Sequence, residues 1–404
     1  MTNAVIDISS TGVSLLIQSD DGDYSYTRRE GFPSLRYTVD GRLNADGITK
    51  ICEKVIMLQR ICQHMPDCIV DNLYVLATAS LRYITNSEDV IEVIKKYTGA
   101  EVNVVDAAME GKCSLASNER FRGMGDPVII DIGGSSIEMG SYTSSEICCL
   151  DFGALSLKAR FVAGAYPSEE EYKKIKKYIK GALLDFDVTE LCDDSETRMA
   201  VFSGTLSSSI YKLYCKVFSE PLDEDRTADP DKLAKLAKKV LTSDQRSQLL
   251  IETASGNVEY LGVALVIISR MVKELDFRKV CFSESGVKEG FLKLLERGEI
   301  EAIPSGFEPA PSSDKKIETL EELTKAIKKR AKKAPPKVVE AKKPAAPADG
   351  RKDRKAKNRQ ADSPKDAPAA SGDAPAGAPD TPQAETSADI PEGTQETDGP
   401  EDAE

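Results

Sequence analysis

Two places in the chain share one pattern: an apolar strand that ends in Ile-Asp-Ile, a turn of small residues and a second apolar strand. The first copy runs from Ala4 to Ile17 and the second from Val128 to Ser141. Apolar, β-branched runs of this length predict strands, and turns of Gly and Ser let a backbone approach a ligand closely. A chain that opens two α/β units in the same way is expected to fold as a duplicated α/β structure.

The second turn, at 131–138, reads Asp-Ile-Gly-Gly-Ser-Ser-Ile-Glu and carries a carboxylate at each end. Consecutive backbone N–H groups in such a turn form a cavity for an anionic oxygen, and the Ser136 hydroxyl adds a donor. Carboxylates repel phosphate, so Asp131 and Glu138 are expected to bind Mg²⁺, which bridges them to phosphate oxygens. The alternative is an ordinary Gly-Gly hairpin.

Between and after the two turns, the hydrophobic periodicity predicts alternating strands and helices. Asn44 is expected to cap one helix, and Asn86 is expected to cap a second helix that ends at Gly99. A long apolar helix is predicted at 258–274. This alternation is typical of α/β domains.

The chain changes character after residue 298, where Pro, Ala and charged residues dominate. Such a segment cannot bury enough apolar area to offset its chain entropy, and we expect it to be disordered except for a short amphipathic helix at 317–327. We therefore predict an N-terminal domain at 1–123, a C-terminal domain at 124–298, and a tail at 299–404 that is basic and then acidic.

Charge, histidine and cysteine counts restrict the function. Of 404 residues, 54 are Lys or Arg and 67 are Asp or Glu, so the net charge of −13 does not attract nucleic acid; only the basic segment at 325–359 could attract RNA or polyphosphate. The single histidine, His64, excludes His-based triads and multi-His metal sites. Nine scattered cysteines, no signal peptide and no apolar run of about 20 residues predict a cytoplasmic protein without a membrane span.

The sequence resembles the exopolyphosphatase and guanosine pentaphosphate phosphatase family, whose second phosphate loop reads approximately DIGGGSTE. Further segments resemble that family in the same order along the chain: ATASLR at 77–82, VVDAAME at 104–110, DFGAL at 151–155, VFSGT at 201–205 and SESGVKEG at 283–290. The resemblance implies two actin-like, ribonuclease H-like α/β domains around a phosphate-binding cleft. It also implies a Mg²⁺-dependent phosphoanhydride hydrolase that releases terminal phosphate from inorganic polyphosphate, guanosine pentaphosphate or both.

The resemblance implies roles for individual residues as well. Glu110 would orient and deprotonate the attacking water, and the Arg82 guanidinium would bind phosphate. Asp131 and Glu138 would hold Mg²⁺, with Asp7 as a further ligand. The remaining residues would bind phosphate or, for the last two, a nucleotide: Ser9, Ser10, Thr11, Gly12, Gly133, Gly134, Ser135, Ser136, Gly204 and Thr205.

The first turn departs from the family pattern, which is close to DIGSNS. Ser9 stands where the family has glycine, and Thr11 stands where it has asparagine. If the backbone at Ser9 needs a positive φ, its Cβ adds a strain of about 1–2 kcal/mol. Three functions therefore stay open: the phosphohydrolase, a non-catalytic sensor of polyphosphate or alarmone, and a kinase or ATPase of the same fold. A homodimer also stays open.

Overall fold

The structure, a computed structural model, describes residues 1–306 with short gaps at 21, 23, 66–67, 125–126, 145, 185, 193–197 and 255–257. The short helix predicted at 317–327 and the rest of the predicted tail beyond residue 306 lie outside the described residues.

The first half of the chain folds into a mixed β-sheet with helices packed against it. Its elements, in order, are β1 (Thr2–Ile8), β2 (Gly12–Ser19), β3 (Ser25–Gly31), β4 (Thr38–Val39), β5 (Arg42–Leu43), α1 (Ala45–His64), β6 (Asn72–Ala77), α2 (Ala79–Arg82), α3 (Ser87–Thr98), β7 (Val102–Val104) and α4 (Ala107–Ser117). The strand order of this first sheet is β3-β2-β1-β6-β7. The first three strands are antiparallel, and β6 and β7 extend the sheet in parallel.

The second half repeats this arrangement. Its elements are β8 (Val128–Ile132), β9 (Ile137–Gly140), β10 (Ile147–Leu150), α5 (Ala154–Phe161), α6 (Glu169–Ala182), β11 (Met199–Ser203), α7 (Thr205–Phe218), β12 (Thr227–Ala228), α8 (Pro230–Leu241), α9 (Arg246–Ala254), α10 (Val258–Glu274), β13 (Lys279–Phe282) and α11 (Val287–Glu296). The strand order of the second sheet is β10-β9-β8-β11-β13-β12. An antiparallel β8–β9–β10 meander is again followed by parallel strands, β11 and β13.

The duplication predicted from the two Ile-Asp-Ile turns is confirmed in the strand pairing. Asp7 pairs in register with Ser14 across β1 and β2, and Asp131 pairs with Glu138 across β8 and β9. Both sheets belong to one compact unit of the chain. The division into domains at residue 123 stays a prediction.

Separate apolar cores support the two sheets. One face of the first sheet packs against α1, where Ile51, Val55 and Leu58 are buried as their spacing predicts. The other face packs against α4 and α11. In the second half, α10 is buried along almost its whole length. The only helices among the described residues with the length and composition of a membrane span are a bent pair, Arg246–Thr253 with Val258–Glu274, and no single helix qualifies.

The predicted helix boundaries agree with the cap geometry, with one exception. The Asn44 side chain accepts a hydrogen bond from the Gly47 N–H at the start of α1, and Gly99 ends α3 in the left-handed region at φ 67°. Asn86 precedes α3 but does not cap it, because its side chain instead bonds both backbone groups of Leu43.

The folded part continues beyond the boundary predicted at residue 298. Residues 299–306 return to the first sheet, where the Ser305 N–H donates to the Leu73 carbonyl at 2.7 Å. Ile303 exchanges two hydrogen bonds with the Asn103 side chain. These hydrogen bonds attach the segment to β6 and β7. A domain boundary predicted from composition does not detect such contacts.

Candidate active site

Two loops form the floor of a cleft between the sheets. The first loop comprises residues 9–12, between β1 and β2, and the second loop comprises residues 133–136, between β8 and β9. They meet directly, since the Ser135 hydroxyl donates to the Ser10 hydroxyl oxygen at 3.0 Å. A Cβ at Gly134 would lie 2.7 Å from Thr11 Cγ2, so only glycine permits this approach.

The first loop closes without the strain expected at Ser9. The described non-glycine residues with positive φ are Asp40, Ser219, Arg226 and Asp276, and Ser9 is not among them. Its N–H and its hydroxyl both donate to the Gly12 carbonyl at 2.9 Å. The condition for strain at Ser9, a positive φ, is therefore not met, and the Ser9 hydroxyl adds a hydrogen bond that glycine cannot make.

The second loop is held from behind by the start of α5. The Ala154 N–H donates to the Gly133 carbonyl at 3.0 Å, and the Leu155 N–H donates to the Gly134 carbonyl at 2.8 Å. These bonds engage two loop carbonyl oxygens that would otherwise repel a phosphate. A Cβ at Gly153 would lie only 2.4 Å from the Gly133 oxygen, so glycine is required here too.

The cleft has a volume of about 600 Å³, and two helices begin at its wall. Gly204, at φ 90°, precedes α7, and Thr205 is the first residue of that helix. Gly286 precedes α11, whose first turn carries Lys288. Free N–H groups and the positive end of the helix dipole make such termini suitable for anions.

Two aspartates lie at the centre of the cleft. Burial raises the pKa of Asp131 to about 6, although the Ser114 hydroxyl donates to its Oδ2 at 2.9 Å and Lys288 opposes the rise. Burial also raises the pKa of Asp7, again against the charge of Lys288. The Oδ1 atom of Asp7 is buried and has no hydrogen-bond partner among the described residues. Additional positive charge near each carboxylate would therefore stabilise its ionised form.

A second acidic pair shares one guanidinium. Glu110, in the first turn of α4, is buried, and its Oε1 lies 2.5 Å from Arg82 Nη1. The Nη2 of Arg82 lies 3.7 Å from Oε1 of Glu138, which is also buried. Burial and the Glu138 charge raise the pKa of Glu110 to about 9, with Arg82 opposing, and burial raises that of Glu138 to about 7.

The carboxylate oxygens of the cleft are suitable ligands for a magnesium ion that binds together with phosphate. The orphaned Asp7 oxygen and the neighbouring Asp131 carboxylate are the hard oxygen ligands that Mg²⁺ prefers. No three His, Cys, Asp or Glu side chains of the described residues are grouped closely enough to hold a metal alone. Mg²⁺ usually binds one or two carboxylates and completes its shell with water and substrate phosphates, so Asp7 and Asp131 are the two side chains that would hold it. Glu138 instead faces Arg82.

Two cations of the cleft were not identified from the sequence. The Arg29 guanidinium, on β3, donates to the Thr11 hydroxyl of the first loop, and its positive charge opposes the rise in the pKa of Asp7. The charge of Lys288 opposes the rise in the pKa of both Asp7 and Asp131. The sequence contained a signal for Lys288, because this lysine lies in the segment at 283–290 at the position where the exopolyphosphatase and guanosine pentaphosphate phosphatase family has arginine. Arg29 had no such signal, since only the pairing of β3 with β2 brings it to the loop.

Fold and site together define a two-lobed actin-like α/β protein with paired phosphate-type loops. The chain belongs to the Ppx/GppA phosphatase family, whose sequence profile matches residues 34–297. Among solved structures, it is similar to an exopolyphosphatase from Cytophaga hutchinsonii, with a TM-score of 0.60 and 17% identity over 74% of this chain and 98% of the other. A Ppx/GppA family member from Aquifex aeolicus has a TM-score of 0.55 and 20% identity over 75% and 99%. These likenesses show the fold.

The curated relatives are similar over part of their length. Exopolyphosphatase 1 of Mycobacterium leprae is 24% identical over 220 residues, which are 51% of this chain and 61% of that protein. Exopolyphosphatase 1 of Mycobacterium tuberculosis is 27% identical over 141 residues, 34% of this chain and 41% of the relative. The chain thus covers less than two thirds of the curated relatives it matches.

Proposed function

We propose that this protein is a Mg²⁺-dependent phosphohydrolase that releases the terminal phosphate from inorganic polyphosphate, guanosine pentaphosphate or both. The observation that carries the proposal is the contact of the two loops, Ser135 with Ser10, at a cleft that Asp7 and Asp131 also line. The hydroxyl and N–H donors of the two loops can bind phosphate oxygens, and the two carboxylates can bind the cation that accompanies them. Membership of the Ppx/GppA family and similarity to exopolyphosphatases support the same reaction.

In this proposal the chain's own groups position the substrate and move one proton. The two loops and the N-terminus of α7, at Gly204 and Thr205, donate hydrogen bonds to the oxygens of the terminal phosphate. Glu110 takes a proton from the attacking water as its oxygen bonds to phosphorus, and the bond to the leaving phosphate breaks in line. A bound Mg²⁺, held by Asp7 and Asp131, would neutralise charge on the phosphate oxygens.

The electrostatics of Glu110 suit a general base only after the site is filled. Burial and the Glu138 charge raise the pKa of Glu110 and favour its protonated form, while the Arg82 guanidinium beside it opposes that rise. Arriving phosphate would draw the Arg82 guanidinium, and a cation nearby would lower the pKa toward the range in which a general base works. If this rearrangement does not occur, the protein is a sensor that binds without turnover.

The decisive experiment is a phosphate-release assay on long-chain polyphosphate and on guanosine pentaphosphate with wild type and Glu110→Gln. The amide keeps a hydrogen-bond acceptor for Arg82 but cannot take a proton, and general-base catalysis typically contributes 10²–10⁴-fold. We expect kcat to fall at least about 100-fold with substrate binding retained. Glu88→Gln, an exposed glutamate in the first turn of α3, is the matched control.

The outcomes separate the candidate functions. Equal rates for Glu110→Gln and wild type would exclude Glu110 as the base. No phosphate release, combined with a melting temperature that rises on addition of polyphosphate, would identify a sensor. Phosphate transfer that requires a second acceptor would identify a kinase of the same fold.

A further inference from the structure

The cleft continues away from the two loops along β2 and β3. In the register of this hairpin, Ser14 pairs with Arg29 and Gln18 pairs with Ser25. Alternate strand residues share a face, so Thr27 lies on the same side, and all five residues line the cleft. We call this extension the strand arm. At a rise of about 3.3 Å per residue, it extends roughly 13 Å from Ser14 to Gln18.

The chemistry of the strand arm suits an extended anion. It offers hydroxyls, one amide and the Arg29 guanidinium, and none of its five residues is acidic. The Ser14 hydroxyl is buried and has no hydrogen-bond partner among the described residues. Leaving such a group unpaired costs free energy, which a ligand oxygen at that point would recover.

The duplication shows how this arm differs from the other half of the molecule. In the first sheet Asp7 pairs with Ser14, and at the equivalent position of the second sheet Asp131 pairs with Glu138. The first half therefore has a serine where the second half has an acid.

The cleft wall beside α7 instead has mixed charge: it carries Lys212 and Glu284, and Glu284 accepts a hydrogen bond from Ser208 and pairs with Arg226, both at 2.7 Å. None of the five residues of the strand arm is acidic, so that arm has no carboxylate to repel a polyanion.

The residue types that line the cleft also indicate which phosphate compound it binds. The residues of the described structure that line the cleft include no Phe, Tyr, Trp or His, so a guanine base would find no ring on which to stack. A linear inorganic polyphosphate requires only donors and cations along its length. Ser25 and Thr27 are exposed at the outer end of the arm, which leaves the chain free to continue into solvent.

We propose that the strand arm binds the phosphate residues of a linear inorganic polyphosphate that follow the reacting terminal residue. This inference rests on the proposed function and specifies its substrate class. Arg29 is the cation at the inner end, where Ser14 donates a hydrogen bond beside it, and Thr27 and Gln18 donate hydrogen bonds farther out. The arm distinguishes long chains from short ones and from nucleotides, because only a long chain reaches Gln18.

The test adds one negative charge to the arm and measures binding separately from turnover. Gln18→Glu and Thr27→Glu are made in the Glu110→Gln background, and Kd is measured by calorimetry for long-chain polyphosphate and for tripolyphosphate. Like charges placed together in a binding site are strongly unfavourable, so we expect Kd for the long chain to rise about tenfold or more. The rise should be smaller for tripolyphosphate. Gln245→Glu, an identical change at an exposed site, is the control.

Each outcome decides the matter. If Gln18→Glu and Gln245→Glu bind the long chain equally well, the strand arm is not the binding path, and the proposed hydrolysis is untouched. Equal weakening for both ligands would mean a general disturbance of the cleft and would also overturn the inference. If wild type releases no phosphate but Gln18→Glu still loses the long chain selectively, the arm stands and the proposed hydrolysis falls.

Discussion

The packing of Gly153 against the second loop allows a sharp test of how far the proposed hydrolysis depends on that loop. In Gly153→Ala, the added Cβ would lie 2.4 Å from the Gly133 oxygen and 2.6 Å from the Gly134 carbonyl carbon. Ordinary contact begins at 3.4 Å, and both neighbours are backbone atoms, so the loop must shift by about 1 Å. It cannot shift freely, because Ser10 and Thr11 of the first loop lie on its other side.

We therefore expect Gly153→Ala to fold but to lose activity out of proportion to its stability. Overpacking of this kind costs about 1–3 kcal/mol of stability. A 1 Å misplacement of groups that position a substrate can cost about 100-fold in rate. The assay is phosphate release from long-chain polyphosphate, with the melting temperature measured in parallel.

The matched control is Gly181→Ala, because a Cβ at that position in α6 meets no atom within 4 Å. This control should retain its activity and gain roughly 0.5–1 kcal/mol of stability, as expected for alanine in a helix. If Gly153→Ala keeps the wild-type kcat/KM and melting temperature, α5 does not fix the second loop, and the reasoning is refuted.

Two further predictions concern stability. A chain ending at residue 298 should be about 1–3 kcal/mol less stable than one ending at 306, since it loses the hydrogen bonds of Ile303 and Ser305; equal melting temperatures would contradict this. Glu259→Gln removes ion pairs to Arg36 and Lys158 and should cost no more than about 1 kcal/mol, less in high salt. The hydrogen bond from Lys158 lowers the pKa of Glu259 below 4.5, so this contribution is present above that pH and disappears on acidification.

The sequence predicted those parts of the fold that local patterns determine. The Ile-Asp-Ile strands, the capped helix after Asn44 and the buried helix Val258–Glu274 all follow from spacing within one segment. The helices α8 and α9 were missed, although Asp229 caps α8 and Pro230 occupies its first position, a strong start signal. The end of the folded part was misplaced because the bridge from Ser305 to Leu73 of the first sheet is not visible in composition.

The candidate site divides in the same way. The two loops and the acids beside them were predicted because they are contiguous motifs, and the structure brings them together. The contact of Arg82 with Glu110 was not predicted, since it joins α2 to α4 across 28 positions. Arg29 reaches the first loop only through the third strand of the meander. Long-range contacts of this kind depend on topology, which sequence periodicity does not specify.

The comparison of the two halves explains why the cleft is electrostatically asymmetric despite its repeated backbone. Both meanders present an aspartate at the end of the first strand, and the partner position holds Ser14 in one half and Glu138 in the other. Arg82 and Glu110 come from the first half of the chain but reach Glu138 of the second half, so the two glutamates share the Arg82 guanidinium. Arg29, which pairs with Ser14, faces no second acid beyond Asp7 among its charged neighbours in the described structure. Arg29 is therefore freer than Arg82 to bind a phosphate chain, which supports the proposed path of the polyphosphate along Ser14 and the proposed position of the attacking water beside Glu110.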